Sequence, residues 1–109
     1  LMKIFKFLLI SFFVSITISV NTFADEAKMK KGLEIFNETA GCAACHVLKA
    51  AGSVGNIGPN LDTVSMTIES VTDMVTNGLG VMPAFGEGEI LTKEEIDIVS
   101  YYVVNAAGK

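Results

Sequence analysis

Apolar residues recur at helical spacing in three stretches of the chain, and the pattern lapses into glycine-rich segments between them. From Asp25 to Thr39, the positions Gly32, Ile35, Phe36 and Thr39 fall three and four residues apart, which is one face of a helix. Asp25 and Glu26 stand near its start, where the positive end of the helix dipole favours acid. Gly32 in mid-helix costs about 1 kcal/mol relative to alanine, so its presence predicts another helix crossing closely there. A second helix is expected over Thr67 to Asn77, capped by Ser65 or Thr67 and stopped by Gly78. Its inward positions are Ile68, Val71, Met74 and Val75. The third opens at Thr92, with Glu95 three residues on to complete a capping box. Ile96, Val99, Tyr102, Val103 and Ala106 form its apolar stripe, and Gly108 closes it. Val47 to Leu61 and Gly80 to Gly88 read as irregular loops, and no alternating run is long enough for a strand. The expected class is all-α, with three to four helices.

One further apolar stretch has no helical face. Phe7 to Val20 is almost unbroken, is preceded by Lys3 and Lys6, and leads into Asn21-Thr22-Phe23-Ala24. A basic start, an apolar run and small residues at its end make a secretory signal. Residues 1–24 are therefore expected to be a signal peptide cut after Ala24, and residues 25–109 one domain. The rival is an uncleaved membrane anchor. Ile4 to Val20 spans 17 residues and includes four Ser or Thr, which is marginal for crossing a bilayer.

Setting the leader aside changes the charge. Six lysines remain against twelve acidic residues, a net of −6, and there is no arginine. An acidic surface argues against nucleic acid and anionic membrane as partners and suits a partner with a basic docking surface. A domain of 85 residues is also small enough to need a staple beyond its own core.

That staple is suggested by Cys42-Ala43-Ala44-Cys45-His46, which holds both cysteines and the single histidine of the chain. Two thiols three apart on a tight helical turn lie on nearly the same side. They can reach the two vinyl groups of one porphyrin, with the next residue held where its imidazole meets the iron. Other readings explain less. A redox disulfide of this spacing belongs beside a strand–helix–strand unit, which is missing. A structural zinc needs four ligands, and only three are present. A plain disulfide leaves His46 unexplained. One covalent haem c on Cys42 and Cys45, with His46 on the iron, is the expected cofactor. Export fits, since the thiols must meet haem outside the reducing cytosol. The periplasm is the expected compartment, ahead of a thylakoid lumen or an intermembrane space.

The second axial position falls to a methionine. Met74 sits on a helix stripe, where methionine is usually core filler, and Met66 is poorly constrained near a helix cap. Met82 stands in a glycine-flanked loop immediately before Pro83, which holds the preceding residue extended. Met82 is the expected ligand.

Taken in order, Gly32 and Phe36, Cys42-x-x-Cys45-His46, Gly58-Pro59-Asn60-Leu61, Val81-Met82-Pro83-Ala84-Phe85, and Ile96-x-x-Val99-x-x-Tyr102-Val103 span nearly all of residues 27–106. This series resembles the class I cytochromes c, in particular the short bacterial and photosynthetic-type monohaem carriers. The resemblance implies an all-α wrap around one haem, with thioethers from Cys42 and Cys45 and axial ligands His46 and Met82. It implies that the Pro59 carbonyl accepts a hydrogen bond from the other His46 nitrogen, that Leu61 and Phe85 wall the pocket, and that Gly32 and Phe36 cross the last helix near Tyr102. The segment from His46 to Met82 is short, which implies a more exposed propionate edge than in larger members.

Iron closed by His and Met has a raised potential and no open site. The implied function is single-electron transfer between redox partners outside the cytoplasm, by a monomer rather than an enzyme. A membrane cytochrome complex, an oxidase or a reaction centre would be the partner, and the membrane itself would be engaged only through an uncleaved leader. Two alternatives differ in class: a haem domain within a larger oxidoreductase complex, and a peroxidase or gas sensor with a labile sixth ligand.

Overall fold

The structure, a computed structural model, describes residues 20–109. The expected leader lies outside the described residues except for its last five. Three helices carry the fold: α1 (Val20–Glu34), α2 (Ile68–Asn77) and α3 (Lys93–Ala106). Helix α3 is the shared partner, packing on both α1 and α2. Its stripe of Ile96, Val99, Tyr102, Val103 and Ala106 is buried, as the spacing predicts. Among the described residues no helix is long and apolar enough to cross a membrane.

Both α2 and α3 begin with closed capping boxes. The Thr67 hydroxyl accepts from the Ser70 amide, and the Ser70 hydroxyl accepts from the Thr67 amide. Thr92 and Glu95 make the reciprocal pair at α3. Two orphan donors are satisfied at each end, so both starts are set locally.

Helix α1 crosses α3 at Gly32. A Cβ there would overlap Cβ of Tyr102 and lie 2.8 Å from its Cγ and 3.2 Å from the Ile98 carbonyl oxygen. Next to the crossing, the Phe36 and Tyr102 rings meet with centroids 6.1 Å apart, tilted by 57°. The Lys28 ammonium lies 4.2 Å from the Tyr101 ring centroid, a cation–π contact between the same two helices.

Several expectations need correction. Helix α1 is already helical at Val20, the first described residue, so in the full chain Asp25 and Glu26 lie within it. Its end is a π turn over Ile35–Thr39, closed by Ala40 N–H to Ile35 O at 2.9 Å. The extra residue in that turn rotates the face. Ile35 and Phe36 are both buried, while Thr39 is carried outward and exposed. On α2 only Val71 and Val75 are buried, and Ile68 and Met74 remain 40% and 37% exposed. A ten-residue helix packed on one partner buries a narrower stripe than its pattern suggests. The span read as loop after the haem motif also holds a short antiparallel ladder, β1 (Val47–Leu48) with β2 (Ser53–Val54). Two-residue strands leave no alternation for a sequence pattern to detect. Buried Ser53 serves this ladder, its hydroxyl accepting from the Leu48 amide at 2.9 Å.

Candidate functional site

The π turn delivers the chain through Gly41 into a 3₁₀ turn, Cys42–Ala44, with Cys45 and His46 directly after it. Cys45 N–H and His46 N–H both donate to the Cys42 carbonyl, at 3.1 and 3.0 Å. Both cysteines are free thiols and both are half-buried. Burial pushes the Cys42 thiol up to about 11, which favours its protonated form at neutral pH.

The His46 ring is fixed by its partner. Its Nδ1–H donates to the Pro59 carbonyl at 2.7 Å. A carbonyl can only accept, so Nδ1 carries a proton, and in the neutral ring the lone pair is then on Nε2. A Cβ on Gly58 would lie 2.5 Å from Cε1 and 2.9 Å from Nδ1 of this ring. Any larger residue at position 58 would push the ring from this position. The turn-forming composition of this segment is visible in the sequence, but the close approach is not.

The Pro59 contact is one rung of a longer register. The Gly58 amide donates to the Cys45 carbonyl at 2.8 Å, and the Leu61 amide to the Val47 carbonyl at 3.0 Å. The Lys49 amide donates to the Asp62 carboxylate at 2.9 Å. Residues 58–62 thus run parallel to 45–49 and hold the segment that carries His46. Asn60 shapes the turn, its side chain accepting from the Asp62 amide at 2.9 Å.

Met82 is held by a different device. Leu79 and Met82 exchange backbone hydrogen bonds at 3.2 and 3.0 Å across Gly80-Val81. Gly80 has φ +59°, which a tight turn of this kind requires at its first central residue. The turn packs back onto Gly78, where a Cβ would lie 2.6 Å from the Met82 carbonyl oxygen and 2.8 Å from the Pro83 carbonyl carbon. Gly78 therefore does more than end α2; it gives the Met82-Pro83 backbone its seat. Met82 is half-buried against the core, Met66 likewise, and Met74 is more exposed on α2. Phe85 is 7% exposed, its amide donating to the Val75 carbonyl at 3.0 Å, and Leu61 packs partly buried against the same core.

The chain is similar to known proteins along most of its length. Residues 27–103 match the family described as cytochrome C oxidase, cbb3-type, subunit III. Cytochrome c6 of Gloeothece citriformis is 37% identical over 84 residues, covering 72% of this chain and 71% of that protein. Cytochrome c6 of Gracilaria tenuistipitata var. liui is 36% identical over 106 residues, covering 90% and 93%. The solved structure of the c-type cytochrome SorU from Sinorhizobium meliloti superposes with a TM-score of 0.71 at 50% identity, covering 77% of this chain and 95% of that one.

The chain belongs to the class I, monohaem cytochromes c. The expected fold class and the expected role are thereby met: this cytochrome is an electron carrier and not an enzyme. A family of c-type cytochromes implies haem c, and the residues present fit it. Two free, half-buried thiols stand three apart, the imidazole beside them is held by Nδ1 so that Nε2 is the nitrogen left for a metal, and a glycine lies against the ring. As an electron carrier it works with redox partner proteins.

Proposed function

We propose that this cytochrome carries one haem bound through Cys42 and Cys45, with His46 Nε2 and the Met82 sulfur as axial ligands and Leu61 and Phe85 as apolar wall. The reading rests on one observation above others: two free thiols and a tautomer-fixed imidazole lie within five consecutive residues. When bound, the haem supplies a one-electron ferric–ferrous couple. The chain's own part is to hold that couple steady. The Nδ1–H to Pro59 bond orients the His46 ring and strengthens it as a donor. The Leu79–Met82 turn, seated on Gly78, limits how far Met82 can swing. With Met82 holding the iron, its thioether would favour the ferrous state and raise the potential, and would leave no open site for oxygen or peroxide.

The proposed setting is outside the cytoplasm, after cleavage following Ala24, as a monomer with partners that present a basic surface to this acidic one. Such encounters are small and short-lived. The matched family's description names an oxidase subunit, and this supports a second reading in which the chain works bound within such a complex.

The optical spectrum of matured protein tests the ligand set. A weak near-infrared band in the oxidised state, with no carbon monoxide binding in the reduced state, is the expected result. Absence of the band together with ready carbon monoxide binding would refute His/Met closure. Isolation as a free monomer that exchanges electrons with a second soluble cytochrome would exclude the second reading.

A further inference from the structure

We infer that Asp62 is a positioning residue for His46, acting through the parallel register that holds Pro59. The inference rests on the proposed role of His46 as an iron ligand.

Asp62 uses both carboxylate oxygens on backbone donors from two distant places. Oδ2 accepts from the Lys49 amide at 2.9 Å, and Oδ1 accepts from the Gly108 amide at 2.8 Å. Lys49 is three residues after His46, and Gly108 lies just past the end of α3. One carboxylate therefore joins the C-terminal end of the chain, the segment leaving the haem motif and the segment carrying Pro59. This is the charge-assisted rung of the register, the others being neutral.

The remaining rungs explain why the fastening reaches the histidine. Gly58 to Cys45, Pro59 to His46 and Leu61 to Val47 follow in order, and Asp62 to Lys49 closes the series. Pro59 and Asn60 are exposed, and Gly58, Leu61 and Asp62 are half-buried. These hydrogen bonds tie the segment to the chain that carries the His46 ring. Releasing the Asp62 end lets residues 58–61 lift. The Pro59 carbonyl then leaves Nδ1, and the ring loses the contact that sets its orientation and donor strength.

The test compares Asp62→Ala with Asp62→Asn in matured holoprotein. Both remove the same charge, but asparagine keeps one acceptor oxygen. Amide hydrogen exchange at Gly58 and Leu61 should quicken at least about tenfold in Asp62→Ala and less in Asp62→Asn, with the Val99 and Val103 amides of α3 unchanged. The reduction potentials of the two variants should also differ from each other, which loss of charge alone would not produce. Exchange that rises equally in the register and in α3, or not at all, overturns the inference, as do coincident potentials. Intact mass of the wild type is measured first. A mass without haem overturns the functional reading and this inference with it, whereas haem in place with unchanged exchange overturns this inference alone.

Discussion

Gly32 sits where α1 and α3 approach most closely, and adding one carbon there measures how far the crossing can yield. Alanine would favour the helix itself by about 1 kcal/mol. Its Cβ, however, meets Tyr102 Cβ and Cγ and the Ile98 carbonyl oxygen, the last two at 2.8 and 3.2 Å. Tyr102 Cβ and the Ile98 oxygen are fixed by the α3 backbone, so no rotamer change relieves the overlap and the helices must part. Overpacking of this kind costs about 1–3 kcal/mol. The upper end applies here, because parting the helices also loosens Phe36 on Tyr102. The net expectation for Gly32→Ala is a loss of about 2 kcal/mol, or about 10 °C in Tm for a domain of this size. Thermal unfolding followed by circular dichroism on holoprotein reads it directly. Lys30→Gly, at an exposed site further inside α1, is the control: it alters chiefly propensity and should cost about 0.5–1 kcal/mol. A Gly32→Ala protein as stable as wild type, or more so, would refute the close-crossing explanation of this glycine.

Met82→Ala should lower the reduction potential and open the reduced iron to carbon monoxide; a spectroelectrochemical titration giving an unchanged potential would move the ligand to Met66 or Met74. The Ser100 hydroxyl is buried and unpartnered, so Ser100→Ala should stabilise by about 1 kcal/mol in urea unfolding, and a loss of that size would reveal a partner for the hydroxyl. The Gly108 and Lys49 amides hold the Asp62 carboxyl below its ordinary value. A folded-state value below the unfolded one contributes stability that is complete above about pH 4 and is lost as pH falls through the folded value. Wild type should therefore exceed Asp62→Asn in stability at neutral pH, with the gap closing as pH drops below about 4. Urea unfolding at stepped pH checks this, and a gap that stays constant into acid would contradict it.

Much of the site was legible because its chemistry is local in sequence. Two thiols and an imidazole in five residues need only one turn of chain to bring them together, so Cys42, Cys45 and His46 declare themselves without a fold. The proline after Met82 likewise acts on its immediate neighbour. The glycines were half legible. Gly32 could be suspected because it sits in a helix where glycine has a cost. Gly58 and Gly78 stand in segments where glycine is ordinary, and their real constraint is the ring of His46 and the backbone of Met82-Pro83. Asp62 carried no signal at all, since both of its partners are backbone amides, and a backbone amide has no letter in the sequence.

The same division runs through the whole molecule. Helix starts at Thr67 and Thr92, the stripe on α3 and the haem motif follow from contacts within four residues, which side-chain identity and spacing specify directly. The π turn, the exposure of Thr39, Ile68 and Met74, and the parallel register under His46 depend on what the rest of the chain places alongside. Periodicity says which face of a helix is apolar; only a packed neighbour decides how wide a strip of that face is buried, and which backbone groups it leaves to be satisfied at a distance.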